Sequence, residues 1–458
     1  MKNHSIRSES WFLSQGWEPF LFQKEAWSAY HNGKSGLVNA PTGSGKTYSL
    51  LLPMLESGLS APPRGLRAIW ITPIRALAKE IELAAQRAVA GLGSQWQIGV
   101  RTGDTSVAKR AKQKEKPPQL LITTPESLHL LLAQKNCAEY FQHLQAIVVD
   151  EWHELVGSKR GVQMELALSR LKCISAGLRV WGISATIGNL EQAIHILLGA
   201  DYYRKQHAVI RANIEKKVEI HSLLPDELEK MPWAGHIGIQ LIDKVLPIIE
   251  RSMSTLIFTN TRSFAEIWYQ KMLAHAPELS GVMAMHHGSM SQNMRGWVED
   301  QLHQGKLKAV VCTSSLDLGV DFRPVETIIQ VGSPKGVARF LQRAGRSGHQ
   351  PGAVSKIYFL PTNSLELAEA AALREAMQRG IVEDRVPYIR SFDVLIQYLN
   401  TLAVGAGFRS EQVHAEVKST FSFESISEQE WEWVLHFITT GGASLTAYDE
   451  YRKVEVTD

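Results

Sequence analysis

Three clusters of residues in this chain could do chemistry on a phosphate ester. The first is Ala40-Pro41-Thr42-Gly43-Ser44-Gly45-Lys46-Thr47, a phosphate-binding-loop pattern in which Ala40 stands where the general form has its first glycine. Bare glycine backbone lets several N–H groups point at phosphate oxygens, and a following helix adds its positive N-terminal end. Thr42, Gly43, Ser44 and Gly45 would cradle the phosphates of ATP, Lys46 would reach the β- and γ-phosphates, and the Thr47 hydroxyl would hold Mg²⁺. A Gly/Ser turn with a stray lysine is the bland alternative; the apolar strand before the loop and the apolar-periodic helix after it favour the motif. The second cluster is Asp150-Glu151, directly after the apolar run AIVV. There Asp150 can hold Mg²⁺ through water while Glu151 orients and deprotonates the attacking water. Alone, such a pair is an ordinary solvated strand end; with the loop upstream it is that loop's expected partner. The third is Gln342-Arg343-Ala344-Gly345-Arg346-Ser347-Gly348-His349. Two arginines at this spacing usually form a solvated helix face. In a domain that follows a phosphate loop they become candidate arginine fingers, worth roughly 10³–10⁵-fold in turnover elsewhere. Arg346 is the first choice and Arg343 the second.

Positioning these groups requires strands that end where the polar clusters begin. From Ser35 onward, apolar runs alternate with amphipathic stretches, the pattern of parallel sheets with helices on both faces. Strands are expected over 68–71, 120–122, 146–149 and 180–183, each followed by a polar cluster, and ligands of open α/β sheets bind beyond strand carboxyl ends. Thr72-Pro73 and Thr124-Pro125 also read as helix starts, threonine as N-cap and proline at the first helical position. Around 201–217 the pattern loosens, so domains are expected over 1–210, 211–380 and 381–458. The second has strands near 255–258, 282–285, 308–312, 327–331 and 356–360, and no phosphate loop of its own. Its strand-end clusters include Thr259-Asn260-Thr261-Arg262, His286-His287-Gly288, Thr313-Ser314-Ser315 and 317–321. Ser263 and Glu266 have capping-box spacing, which places Arg262 just before a helix. The two adjacent histidines face opposite ways on a strand end, against a shared metal. Past Arg390, apolar residues at helical spacing and a Ser427/Glu430 cap give three short helices before a strand-like tail, as in a winged helix.

The chain of 458 residues has ample core for two or three domains, with 44% apolar and 21% charged residues. Its formal charge of +3 permits a nucleic-acid partner without requiring one. Cys137, Cys173 and Cys312 are far apart, a pattern that suits a reducing cytosol and no disulfide or zinc framework. The first thirty residues are too polar for a signal peptide, and no apolar run approaches the ~20 residues of a membrane span. The basic run KRAKQKEK at 109–116 reads as the solvated face of a connecting helix rather than a nucleic-acid patch.

In order, APTGSGKT, TPIRALAKE, TTPESL, DEWH and SAT resemble motifs I, Ia, Ib, II and III of superfamily 2 DExH helicases; IFTNTR, TSSLDLGVDF and QRAGRSGH resemble motifs IV, V and VI. His349 stands where many relatives carry a further arginine. The run DEWHELVGSKRG is similar to the Lhr-type helicases, in particular the ligase-associated DEXH-box branch, and the likeness covers most of the chain. It implies two tandem RecA-like domains followed by a winged-helix domain, with more chain beyond Asp458. It implies adenine reading by Phe20 and Gln23, nucleotide contact by Asp321, and coupling through His153, Ser184, Thr186 and Gln342. Nucleic-acid contacts would come from Pro73, Arg75, Thr124, Pro125, Thr259, Arg262, His287 and Thr313. The implied protein is a monomeric cytoplasmic helicase of single-stranded or tailed DNA, moving 3′ to 5′ in DNA repair, with partners such as a ligase or nuclease. Two rivals stand beside it. One is an ATP-gated remodeller of RNA or RNA:DNA hybrids that does not translocate; the other is a nucleic-acid scaffold with a dead ATP site.

Overall fold

The computed structural model describes residues 4–59, 64–214, 218–225, 238–317, 325–347, 354–442 and 452–457. Two parallel sheets organise the described chain. The first contains β1 (Ser35–Asn39), β2 (Ala68–Ile71), β3 (Ile98–Arg101), β4 (Leu120–Thr123), β5 (Ala146–Val149), β6 (Arg179–Ser184) and β7 (His207–Arg211), in the order β3-β4-β2-β5-β6-β1-β7. The second contains β8 (Val218–Ser222), β9 (Thr255–Phe258), β10 (Met283–His286), β11 (Ala309–Cys312), β12 (Thr327–Val331) and β13 (Ser355–Leu360), in the order β10-β11-β9-β12-β13-β8. The inner strands β2, β4, β5, β9 and β11 are buried at every position, as strands covered by helices on both faces must be. The edge strands β3 and β7 were not anticipated. Each is only partly buried, so neither carries the unbroken apolar run that marks its neighbours.

Helix Lys46–Glu56 leaves the phosphate loop and buries Leu50, Leu51, Leu52 and Leu55. The scattered N-terminal aromatics pack behind it: Trp11, Phe12 and Trp27 are buried, and Trp11 lies 5.0 Å from the Tyr48 ring. The basic run forms the solvated face of helix Val107–Glu115, as expected, with Arg110 folded back onto the carbonyls of Thr102 and Gly103.

Three helices, Phe392–Val404, Ser410–Lys418 and Glu428–Thr440, form the last unit. The third begins with the expected capping box: Ser427 accepts from the Glu430 N–H, and Glu430 accepts from the Ser427 N–H at 2.9 Å. Their core takes in Val162 and Leu166 from helix Lys159–Ile174 of the first lobe. The buried Glu165 carboxylate lies in the same seam and accepts from both the N–H and hydroxyl of Ser422, at 2.9 and 2.7 Å. Burial pushes its pKa up to about 8. Much of the expected strand-like tail lies outside the described residues; 452–457 is irregular and tied to Ile438 O by Lys453 and Val454.

Two expected helix starts are displaced. Thr72 continues the sheet by donating its N–H to Thr123 O at 2.8 Å, and the helix begins at Arg75 with Ile74 as its N-cap. Helix Arg262–His275 is capped by Thr261, which accepts from the Phe264 N–H. The Glu266 carboxylate is instead taken by Arg262 Nε at 2.7 Å, leaving no capping box with Ser263. Thr124-Pro125 does start a helix, with Thr124 accepting from the Ser127 N–H and proline in the first turn.

Candidate active site

The loop after β1 turns through Gly43 (φ 81°) and Gly45 (φ 73°), backbone conformations that a side chain would strain. Gln23 fixes it from the side. Its Nε2 donates to Gly45 O at 3.0 Å while its Oε1 accepts from the Phe20 N–H at 2.9 Å. Phe20 is half-exposed and stacked on Phe22. Ser44 donates to Pro41 O at 2.7 Å, closing the turn. Lys46 is buried as the first residue of its helix, and its Nζ lies 2.7 Å from Glu151 Oε1. Thr47 follows it on the same first turn.

Asp150 extends β5 and is fully enclosed. Trp70 Nε1 donates to one of its oxygens at 3.0 Å and the Glu151 N–H to the other at 2.8 Å. Glu151 has a left-handed backbone (φ 46°, ψ 46°), a conformation costing on the order of 1–3 kcal/mol that is typical of residues held for a task. Burial works against its charge, but the Lys46 ammonium, which also donates to it, and to a lesser degree Arg346 outweigh it and hold the carboxyl below the usual glutamate range. Asp150 goes the other way: burial and then the Glu151 charge push it up to about 7. One carboxylate is thus kept ionised. The other carries a charge that wants a cation, which would reverse its shift. Glu151 Oε2 is buried and accepts no hydrogen bond among the described residues. Asp150, Thr47 and that open acceptor fit Mg²⁺-ATP: Thr47 and Asp150 are the residues that would hold the cation.

The second lobe closes on this site. A Cβ on Gly345 would sit 3.3 Å from Thr42 Cβ, so the arginine motif abuts the phosphate loop directly. Arg346 lies near enough for its charge to act on Glu151, and its Nη2 donates to Asp317 O at 2.7 Å. Arg343 does not qualify as a finger. It is 2% exposed, with Nε and Nη2 on the two Asp317 oxygens at 2.7 and 3.1 Å, Nη1 on Gln330 and its plane over the Phe258 ring. Every arm of this guanidinium is committed within its own lobe, so it braces the helix that presents Arg346. Asp321 and His349 lie outside the described residues.

Among the residues expected to couple the motifs, His153 has a clear link: its Nδ1 accepts the Ala185 N–H at 3.2 Å. Burial lowers its pKa to about 4, so the ring is neutral and able to accept. Ala185 O accepts from Asn39 Nδ2 at 2.7 Å and from the Ser184 hydroxyl at 2.9 Å, which ties the ends of β1 and β6 to Glu151's neighbour. Thr186 is exposed and stands apart from this chain. Gln342 is buried beside Arg343, with its amide nitrogen donating to no described partner.

The expected nucleic-acid residues divide by exposure. Arg75 and Arg262 are exposed and held in surface ion pairs with Asp104 (2.6 Å) and Glu266 (2.7 Å), contacts that water and salt screen strongly. Thr313 is partly exposed and donates to Ser315. His287 is buried with its Nε2 3.7 Å from Glu266, while His286 binds Ser315 and Glu299; the two rings do part ways. Thr259 is fully buried and its hydroxyl donates to Cys312 O and Thr261 O. Thr124 and Pro125 are buried in a helix cap. These three are buried and present no exposed side chain. Pro73 offers its carbonyl to Arg160 Nη2 at 2.7 Å. Trp70, Arg160, Gln330 and Asn189 escaped the sequence reading, because each works through a partner remote in the chain. No cluster of metal-binding side chains stands elsewhere among the described residues.

A closed pair of parallel-sheet lobes with a phosphate loop, an Asp-Glu strand end and an opposing arginine defines the class of superfamily 2 helicase-type ATPases. Residues 20–193 match the DEAD/DEAH box helicase family, 239–350 the helicase conserved C-terminal domain, and 375–458 the winged-helix domain of the large helicase-related protein. An ATP-dependent helicase Lhr-Core of Methanothermobacter thermautotrophicus is 33% identical over 453 residues, covering 95% of this chain and 52% of the relative. The Lhr helicase/uracil glycosylase of Escherichia coli is 30% identical, covering 95% and 32%. The solved structure of Mycobacterium smegmatis helicase Lhr bound to ssDNA and AMP-PNP superimposes with a TM-score of 0.86 at 30% identity, covering 94% of this chain and 57% of that one. The chain belongs to the Lhr-type superfamily 2 helicases, and it spans about half or less of the length of these relatives.

Proposed function

We propose that this chain is an ATP-driven motor that moves along or unwinds nucleic acid, with single-stranded or tailed duplex DNA as its substrate. One observation supports this above all: Gly345 of the second lobe meets Thr42 of the phosphate loop, with Arg346 in the field of the buried Lys46–Glu151 pair. Glu151 holds and deprotonates the attacking water, while Lys46 and Arg346 stabilise charge on the transferring phosphoryl group. Mg²⁺ would supply Lewis-acid neutralisation at the phosphates, held by Thr47 and Asp150. The exposed Arg75 and Arg262 grip backbone phosphates from the strand ends of the two lobes, so cycles of closing and opening advance the strand. Contacts to phosphate rather than base edges give weak sequence preference. Movement 3′ to 5′ and a setting in DNA repair follow from the family resemblance alone, whereas DNA as the substrate is also supported by the Mycobacterium smegmatis helicase Lhr, which is bound to ssDNA.

The test is ATP turnover and unwinding on DNA, RNA and hybrid duplexes carrying a 3′ or a 5′ tail. Turnover that rises with the length of single-stranded DNA, with unwinding only from a 3′ tail, is the expected result. Turnover indifferent to strand length would replace translocation by a clamp-and-release remodeller. Lys46→Ala is expected to abolish hydrolysis with the fold intact, and retained activity would remove the loop from the mechanism.

A further inference from the structure

Residues 382–386 run between helix Leu365–Gln378 of the second lobe and helix Phe392–Val404 of the last unit. Both lobes make room for them with glycine. A Cβ on Gly157 would lie 2.7 Å from Val386 O; one on Gly188 would collide with Asp384 and the Val382 carbonyl; one on Gly336 would overlap the Glu383 carboxylate. Gly157 follows the turn that carries Glu151, Gly188 follows Ser184, and Gly336 immediately precedes the arginine-bearing helix Val337–Ala344.

Hydrogen bonds hold the segment to both sides. On the first lobe, the Asn189 side chain clasps the backbone of Arg385. It accepts the Arg385 N–H at 2.9 Å and donates to Arg385 O at 2.9 Å, while the Gly188 N–H donates to Glu383 O at 3.3 Å. On the second lobe, the Glu383 carboxylate accepts the N–H of Val337 at 3.0 Å and of Ala338 at 3.1 Å. Those amides open the helix and have no partner within it, and a carboxylate there also meets the positive end of the helix dipole. Just past the far end of the same helix stand Gly345 against Thr42 and Arg346 near Glu151.

We propose that this segment is a strap that positions the arginine finger: Glu383 anchors the helix that leads into Arg346, and Asn189 anchors the strap to the first lobe. The inference rests on the ATPase reading above. Glu383 touches none of the reacting groups and acts through helix orientation, where a misplacement of about 1 Å can cost on the order of 10²-fold in rate. The strap also leads straight into the last unit, so a pull there reaches Arg346.

The experiment compares Glu383→Ala, Glu383→Gln, Asn189→Ala and the double variant Glu383→Ala/Asn189→Ala in the full chain. Expected for each alanine variant is a DNA-stimulated kcat lower by about tenfold, with KM for ATP within about twofold of the parent. The double variant should lose no more than the worse single one, because both cut one tether. Glu383→Gln keeps an acceptor and should recover most of the rate. Hydrogen–deuterium exchange with AMP-PNP and single-stranded DNA gives a second readout that needs no turnover: the amides of 337, 338 and 346 should exchange faster in Glu383→Ala. Unchanged exchange at these amides, kcat within twofold of the parent, or fully additive losses would each overturn the strap. A parent chain without ATP hydrolysis would defeat the ATPase reading, and the exchange data would still decide whether Glu383 holds the helix.

Discussion

Arg343 and Arg346 are two of one kind in one motif, yet they predict opposite phenotypes. Arg346→Ala removes positive charge facing Glu151 and should lower kcat by about 10³-fold with little change in Tm. Arg343→Ala strips a partner from the buried Asp317, a loss of about 3–5 kcal/mol that thermal unfolding would register before any kinetic assay. Equal Tm values for the two variants would remove the distinction. Glu151→Gln should reduce turnover by at least about 10²-fold, since the residue is the proposed base, while leaving nucleotide binding, measured by titration with AMP-PNP, near that of the parent. The motifs proposed to supply the base and the phosphate grip stood out by residue type because phosphate chemistry uses so few of them. Which arginine is enclosed was not, since that depends on Asp317, from the turn after β11, and Gln330, from β12, arriving to occupy Arg343.

At the scale of elements, the seam between helix Lys159–Ile174 and the last unit is tuned by Glu165. Its carboxyl is raised to about 8 in the folded chain by burial, against an ordinary value of 4.5. The native state therefore holds a proton that the unfolded chain gives up between those values, so this group's contribution to stability falls as pH rises from about 4.5 to 8 and then levels. Glu165→Gln should thus have a Tm closest to the parent near pH 4.5, with its advantage growing toward pH 8; a gap that does not widen with pH would refute the assignment. The same seam explains why the helical spacing of Leu395, Leu399 and Leu402 was visible while its partner was not: Val162 and Leu166, far upstream, complete that core. Helix caps show the same divide. Ser427 and Thr124 cap as their local sequence dictates, whereas Ser263 loses its partner because Arg262 claims Glu266.

For the whole molecule, the proposed function rests on closure of two lobes, each with its polar clusters at the carboxyl ends of a parallel sheet. If exposed Arg75 and Arg262 hold phosphates, affinity for single-stranded DNA should fall steeply with salt, log K against log [salt] having a slope of about −0.7 per phosphate neutralised. Arg75→Ala/Arg262→Ala should flatten that slope in a binding titration while leaving nucleotide affinity unchanged, and an unaltered slope would take both residues out of the interface. No helix among the described residues is long and apolar enough to cross a membrane.

What the chain's order of residues determined by itself was the alternation of buried strands and helices, the loop that grips phosphate, the Asp-Glu pair and the motif carrying the arginines. These are local, because each depends on neighbours within a turn or a strand and on the short list of side chains able to do the work. Only the tertiary structure decided that Arg343 is enclosed by Asp317 and Gln330 while Arg346 lies within electrostatic range of Glu151, that Thr259 and Thr124 are buried supports, and that Glu383 and Asn189 hold the connecting segment to the two lobes. Each is a contact between residues remote in sequence, and burial, charge pairing and the space left by a glycine are fixed only when the lobes have come together.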